Sequence, residues 1–418
     1  MTQISEGRVQ MANTDAAPKV RILRPPGEQR DLHQFVDLLD RWQQGLLPGY
    51  LVVTSDDINP ESVEEQVRQR PISQNTGPHL ILPTSGSTGA TPNLVVLSRG
   101  ALAASAHATQ RALGGPGTWV LPLPLQHIAG IQVVLRSLAA EHMPLVTDTW
   151  PRFSPESLAK AASRHDGSVP LYTSLVSPQL ASLLQNTQAA KECRSFNTIL
   201  LGGGRIDVDL LAEARGGGLN VTTTYGMTET CGGCVYDGIP LENTRIAIEE
   251  GTERVLIASD ALMDGYLGSP SSEADTHWVE RSGTRYFRTP DVGTLDAEGR
   301  LHITGRADDI INSGGVKVVL DRVQDTITAL PGVDECAVCA TNDPIWGETV
   351  TALVVQRGQD RDPQSLRDSV VEALGTPYAP RVIVYADAIP RTDLGKVRTA
   401  KVRSIVENAI RSDSAWKR

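Results

Sequence analysis

Apolar positions along the chain cluster on two spacings. Short apolar runs bounded by Gly, Pro, Ser or Asn recur from Val20 to about Ile303, among them GYLVVTS, HLILPTS, TWVLPLPL, NTILLGGG and NVTTTYG. Runs of that length and composition read as strands. Helical spacing fills the stretches between them, and LVVLSRGALAASAHATQRAL reads as a strand turning directly into a helix. Apolar runs followed by helices predict an α/β fold with a largely parallel sheet covered on both faces. Binding loops are then expected at the carboxyl ends of the strands.

The pattern changes at GRADDIINSGG, Gly305 to Gly315, where glycine and paired aspartate suit a turn. Beyond it come VKVVL, a helix around Asp321 to Leu330, the runs ECAVCA and TVTALVV, a helix around Pro363 to Leu374, and RVIVYA. That is a small α+β unit. The expected organisation is a polar, disordered tail over residues 1–20, a large α/β domain over 21–305 and a small domain over 306–418.

Composition narrows the function. With 40% hydrophobic and 21% charged residues, the 418-residue chain is that of a globular protein with room for two domains. Its 39 basic and 49 acidic residues give a net charge of −10, which argues against a nucleic-acid or anionic-membrane surface. The first 20 residues lack the apolar core of a signal peptide and no apolar run reaches membrane-spanning length, so a cytoplasmic protein is expected, with no membrane insertion. Five cysteines in so long a chain are not a disulfide framework. Cys231 and Cys234 form one CxxC, read as a loop. Cys336 and Cys339 form another, in a strand whose alternation points them to opposite faces. Small buried side chains fit both pairs better than zinc.

The segment LPTSGSTGATPN, Leu82 to Asn93, carries the first candidate chemistry. Gly86 and Gly89 are too close for a Walker loop and no lysine follows, which excludes that ATPase motif. Thr84, Ser85, Ser87 and Thr88 offer hydroxyls, and the glycines let successive backbone N–H groups form an anion-binding concavity. The segment contains no positive charge, so a polyphosphate bound here needs its neutralising cation from elsewhere.

TSGSTG followed by proline resembles the phosphate loop of the adenylate-forming superfamily, which includes acyl-CoA and aryl-CoA ligases, luciferases and peptide-synthetase adenylation domains. The resemblance recurs in order through LPLQHIAG, ILLGGG, TTYGMTET, TPDVGTLDAEGRLHITGRADDIINSGGVKV and PRTDLGKV, covering nearly the whole chain. It implies a large multi-sheet N-terminal domain with a small α+β C-terminal lid. The implied reaction has two steps: a carboxylate attacks the α-phosphate of ATP to give acyl-AMP and pyrophosphate, then the thiol of coenzyme A displaces AMP.

The roles it implies fall on particular residues. Thr84, Ser85, Gly86, Ser87, Thr88 and Gly89 would cradle phosphates. Gly203 and Gly204 would admit the adenine edge, with Tyr225 against its face. Asp291 would accept both ribose hydroxyls, in TPD where the family usually has TGD. Arg306 would reach the ribose or phosphate. Glu229 would hold Mg2+ and Thr228 would bond the α-phosphate. Lys396 would be the catalytic cation, carried in and out of the cleft by a hinge at Asp308, with Gly314 and Gly315 lining the thiol channel. The loop departs from the family's TGxPK, since Asn93 stands where the lysine usually sits.

The acyl pocket implied by the same resemblance contains His127, with a catalytic or pocket role, and Ser174, Leu175, Gly232 and Gly233. Small residues over Cys231 to Cys234 leave a flat slot that suits an aryl ring. YGMTETCGGCVYDG, LPLQHIAGIQ and LYTSLVSPQL resemble the short o-succinylbenzoate–CoA ligases of menaquinone biosynthesis, whose missing length also lies before the phosphate loop. Such a substrate carries a second carboxylate, for which Arg205, Arg245 and His127 are candidates. Two further readings stay open: another aryl- or acyl-CoA ligase, and a non-catalytic nucleotide or acyl-CoA binding homologue. A peptide-synthetase domain fits less well, since no carrier domain follows Arg418. The expected partners are small molecules, an aryl carboxylic acid, ATP and CoA, and a homodimer is left open.

Overall fold

The computed structural model describes residues 20–28, 31–47, 49–53, 59–69, 79–84, 93–267, 275–313, 315–343, 347–356, 362–391, 395 and 397–418. Of these, residues up to Thr84, 93–246 and Ile257–Phe287 form one compact unit, and Ala247–Leu256 with Arg288–Arg418 form another.

Two sheets build the first unit. One contains β1 (Val20–Leu23), β2 (Tyr50–Val53), β3 (His79–Pro83), β4 (Leu94–Ser98) and, later in the chain, β14 (Gly265–Leu267), side by side in that order. β1, β2 and β3 run parallel, whereas β4 returns antiparallel to β3 and β14 antiparallel to β4. The second sheet contains β5 (Thr118–Leu121), β6 (Leu145–Val146), β7 (Leu171–Leu175), β8 (Thr198–Leu201), β9 (Val221–Met227), β10 (Gly232–Tyr236) and β11 (Ile239–Pro240). Its order is β11-β10-β9-β8-β7-β5-β6, parallel from β6 through β9 and antiparallel from β9 to β11.

The unbroken apolar runs follow from burial on both faces. Along β2 and β3, Leu51, Val53, Leu80 and Leu82 enter one core, while Tyr50, Val52 and Ile81 enter another with Val63 and Val67 of the helix Pro60–Gln69. In the second sheet Trp119, Leu121, Tyr172 and Leu200 join the same core as Leu51, and Val120, Leu171, Ile199 and Leu201 face a third. The shared core is filled by the helices Leu32–Gln43, Arg99–Ala112 and Ile128–Ala139 through Phe35, Leu39, Trp42, Leu102, Ile131 and Leu135. The first unit is therefore layered, with helices between and outside two sheets. The antiparallel strands are the departure from the expected parallel sheet. HLILPTS leads through the hydroxyl-rich segment into a hairpin partner rather than into a helix.

β12 (Thr244–Ile248), β13 (Arg254–Ser259) and β16 (Thr284–Leu295) contribute residues to both units. Within the first, β15 (Trp278–Arg281) pairs with the start of β16, placing Trp278 opposite Phe287.

In the second unit the rest of β16 pairs with β17 (Leu301–Arg306). The hairpin β18 (Ile310–Ser313) and β19 (Val316–Val319) follows, with β20 (Val333–Asp343) antiparallel to β21 (Gly347–Gln356), β22 (Val382–Tyr385) parallel to β21, and β23 (Trp416–Lys417) at the edge. Helices Leu320–Thr328 and Pro363–Leu374 pack on one face and Thr399–Arg411 on the other. Cys336 joins the core with Val323 and Val370, and Cys339 joins the core with Val402 and Val406. Strand alternation thus separates this CxxC pair, as its sequence implies. All five cysteines are buried free thiols whose pKa is pushed up by burial, which disfavours the thiolate. Among the described residues no helix is long and apolar enough to cross a membrane.

Candidate active site

The parallel strands of the second sheet end on one edge, and several of the expected site residues stand there. His127 is the N-cap of the helix that follows β5, with its ring making no capping bond. Ser174 and Leu175 are the buried last residues of β7. Gly203, with φ of 82°, Gly204 and Arg205 follow β8. Tyr225 lies near the end of β9, and Thr228 and Glu229 come directly after it. Arg205 is exposed and its carbonyl accepts a bond from Ser177 Oγ at 3.1 Å; Arg245 is exposed as well.

A short turn converts β9 into β10. Thr228–Thr230 form a single 3-10 turn, and the buried Thr230 hydroxyl accepts from the Met227 N–H at 2.9 Å and donates to the Gly232 carbonyl at 2.7 Å. Cys231 adopts φ of 52°, and its carbonyl accepts from Ser105 Oγ at 2.9 Å and Gln132 Nε2 at 2.8 Å. The CGGC segment, expected as a loop, is the start of a returning strand: Gly233 lies opposite Gly226. A Cβ on Gly226 would stand 2.1 Å from the Gly232 carbonyl oxygen, so the hairpin closes only with glycine there. The turn leaves the Thr228 hydroxyl without a hydrogen bond to any described residue.

Glu229 is held in two places. Its carbonyl accepts from the Met263 N–H at 2.8 Å, and its Oε1 accepts from the Tyr266 hydroxyl at 2.7 Å. Burial first, then the charge of Glu229, hold the Tyr266 phenol far above its ordinary pKa, so it donates at every physiological pH. The bond from Tyr266 that holds the Glu229 side chain is one the sequence did not reveal. MDGYL reads only as a short strand, and the bond spans 37 positions. Replacing Tyr266 with Phe is expected to leave the fold intact and lower turnover about 10-fold, the worth of one hydrogen bond to a charged acceptor. The check is a magnesium titration of activity beside a melting curve. An unchanged magnesium dependence would deny the positioning role.

Thr84 closes the base of the β3–β4 hairpin, its N–H donating to the carbonyl of the exposed Asn93 at 2.8 Å. Leu82 and Tyr266 both lie opposite Val95, so the hydroxyl-rich segment springs from the part of the sheet that presents Tyr266. Ser85, Gly86, Ser87, Thr88 and Gly89 lie outside the described residues.

In the second unit Asp291 and Arg306 are cross-strand partners, with Arg306 Nη1 3.7 Å from Asp291 Oδ1. Asp291 is buried and its N–H donates to Thr289 Oγ1 at 3.1 Å. Asp308 falls in the 3-10 turn Ala307–Asp309, with its side chain outside the described set. Gly315 has φ of 88° in the β18–β19 turn, and Gly314 lies outside the described residues. Lys396 also lies outside them. Its neighbours are fixed: Arg391 and Val397 form an antiparallel bridge, and the Arg391 guanidinium donates to the Gly395 carbonyl at 2.9 Å and to Glu335 at 2.7 Å.

Comparison with known proteins decides the family. Residues 1–267 match the model of the AMP-binding enzyme, and residues 322–396 match the AMP-binding enzyme C-terminal domain. The chain belongs to the AMP-binding enzyme family. A probable 2-succinylbenzoate–CoA ligase of Mycobacterium tuberculosis is 37% identical over 337 residues, 79% of this chain and 85% of that protein. A 2-succinylbenzoate–CoA ligase of Enterococcus faecalis is 29% identical over 350 residues, 78% of this chain and 69% of its own length. Among solved structures, the o-succinylbenzoate CoA synthetase MenE of Bacillus subtilis with its OSB-AMP intermediate aligns at a TM-score of 0.68 and 24% identity, covering 88% of this chain and 80% of that one. Like its structural neighbours, this AMP-binding enzyme is a multi-sheet α/β protein of the adenylate-forming type, as its motifs imply.

Proposed function

We propose that the enzyme is an ATP- and Mg2+-dependent ligase that converts o-succinylbenzoate to o-succinylbenzoyl-CoA through an acyl-AMP, releasing AMP and pyrophosphate. The observation that carries this reading is the 37% identity, over four fifths of the chain, to a probable 2-succinylbenzoate–CoA ligase. The edge where Tyr225, Thr228 and Glu229 follow Gly203 and Gly204 across adjacent strands supports it.

The donor set suits magnesium. Among the described residues no three His, Cys, Asp or Glu side chains converge, and one oriented carboxylate, Glu229, stands at the turn. A cation bound mainly by phosphates and water asks no more of the protein. When bound, it neutralises charge on the triphosphate as the acyl carboxylate approaches.

The residue roles form part of the proposal. Thr228 donates to the α-phosphate. Asp291 binds the ribose hydroxyls, with Arg306 beside it. Tyr225, Gly203 and Gly204 surround adenine, and Thr84 to Gly89 cradle the leaving phosphates. Lys396 supplies the positive charge that TSGSTGATPN lacks. His127, Ser174, Leu175, Gly232 and Gly233 border the acyl group. Gly314 and Gly315 leave room for the pantetheine arm of CoA, and the domain division at Arg306 with a hinge at Asp308 separates the two half-reactions. A cytoplasmic location belongs to the same proposal.

Pyrophosphate release measured across a panel of carboxylic acids tests the reading. The panel includes a long-chain fatty acid, because a long-chain-fatty-acid–CoA ligase of M. tuberculosis is 29% identical. o-Succinylbenzoate is expected to give the highest kcat/KM. Indifference to it, with turnover of another acid, would leave a ligase of different specificity.

A further inference from the structure

The bonds from the Met263 N–H to the Glu229 carbonyl and from the Tyr266 hydroxyl to Glu229 Oε1 come from one short segment of chain. Tyr266 belongs to β14, a three-residue strand at the end of its sheet, bonded there to β4. So short an edge strand has few ladder bonds with which to fix the aim of a side chain. Asp264 stands between the two anchors, and its contacts supply what the strand lacks. Its N–H donates to the Val96 carbonyl at 2.9 Å, and its Oδ2 lies 2.9 Å from His79 Nε2. A carboxylate accepts, so the histidine donates, in the strong class of hydrogen bond that has a charged partner.

His79 is the polar residue of the buried run HLILP, and it is only 2% exposed. Its ring stacks on Tyr50, with centroids 5.6 Å apart and planes 21° from parallel. β4 lies between β3 and β14, so the bond to Asp264 reaches across a whole strand and ties the end of the sheet to its interior. A buried imidazole is costly unless hydrogen-bonded, and the carboxylate that meets this one stands two residues before Tyr266. Asp264 also makes itself felt at the reacting turn: burial first, then the charge of Asp264, raise the pKa of the Cys231 thiol. All of these residues belong to the first unit.

We infer that His79 is a positioning residue for Glu229: bonded to Asp264, it fixes the segment whose two ends grip the Glu229 carbonyl and carboxylate. The inference rests on the ligase reading above, in which Glu229 holds magnesium. Partners that orient a metal-binding carboxylate are worth roughly 10- to 100-fold in metal affinity or activity. His79 acts at one remove from such a partner, so an effect of about 5- to 10-fold is expected. Its signature is a raised magnesium requirement, because without His79 the carboxylate is present but less often aimed.

The test uses three variants of the full chain. His79→Phe keeps a ring against Tyr50 and removes the donor, His79→Gln gives up the ring and keeps an N–H donor, and Asp264→Ala removes the acceptor at a partly exposed position. Hydrogen exchange of the Met263 amide in the ligand-free protein is the first readout, and it should quicken about 10-fold in His79→Phe and Asp264→Ala. Calorimetric ATP binding across a magnesium series is the second. Both variants should need about 5- to 10-fold more magnesium for the same ATP affinity, and His79→Gln should recover most of the difference. In a Glu229→Gln background, His79→Phe should add nothing further. If His79→Phe does not fold, Asp264→Ala decides by the same two readouts. A lower melting temperature with the magnesium requirement unchanged would make His79 a purely structural histidine and overturn the inference. Glu229→Gln separates the two ways of failing. If it keeps the wild-type magnesium requirement, the metal assignment falls and this inference with it; if its requirement rises and that of Asp264→Ala does not, only the role of His79 is lost.

Discussion

Replacing Lys396 with Ala is expected to reduce acyl-adenylate formation by roughly 100- to 1,000-fold, the range seen when one preorganised electrostatic group is removed. Transfer from preformed acyl-AMP to CoA should persist. The reasoning starts from a deficit. TSGSTGATPN contains hydroxyls and backbone donors but no cation, and Asn93 closes the hairpin base through its carbonyl. Joining a carboxylate to a phosphate brings two anions together, so positive charge counts most in the first step. A lysine is a compact charge on a long stem and suits that task. The Arg391–Val397 bridge and the Arg391 bonds to Gly395 and Glu335 join described residues on both sides of position 396. ATP–pyrophosphate exchange reports the first half-reaction, and thioester formation from synthetic acyl-AMP reports the second. Equal loss in both halves would deny Lys396 its assigned step.

The parts of this molecule legible from sequence are those governed by local rules. β2, β3, β5 and β8 announce themselves because both faces of each are buried, which forbids polar alternation. The edge that gathers Ser174, Gly203, Tyr225 and Glu229 follows from parallel strands and needs no further information. What stayed hidden depends on distance in sequence. Nothing near Tyr266 says that its hydroxyl reaches Glu229, and nothing near Arg136 says that Gly232 lies beside it. CGGC reads as a loop because glycines usually mark one. Here they form a strand, since Gly226 and Gly233 face each other and tolerate no side chain between them. Arg205 follows a glycine triplet and looks like site chemistry, and the structure leaves it exposed, whereas burial of Arg136 is visible only once the helix is packed.

Replacing Glu229 with Gln should be nearly as damaging as loss of Lys396, on the order of 100-fold or more in pyrophosphate release. The choice of glutamine isolates charge from shape. A carboxamide oxygen still accepts from the Tyr266 hydroxyl, and the Glu229 carbonyl still accepts from Met263, so both anchors of the turn survive. What disappears is the anionic oxygen that a hard dication prefers. The variant should therefore melt like the wild type, with ATP affinity weakened most at low magnesium. A comparison with Tyr266→Phe separates holding the cation from aiming the holder. If Tyr266 acts only through the Glu229 carboxylate, the double variant should be no slower than Glu229→Gln alone, because contacting residues of one network lose their effects together. Additive losses would mean that Tyr266 works on something else, and a Glu229→Gln enzyme with normal magnesium dependence would move the metal to another ligand.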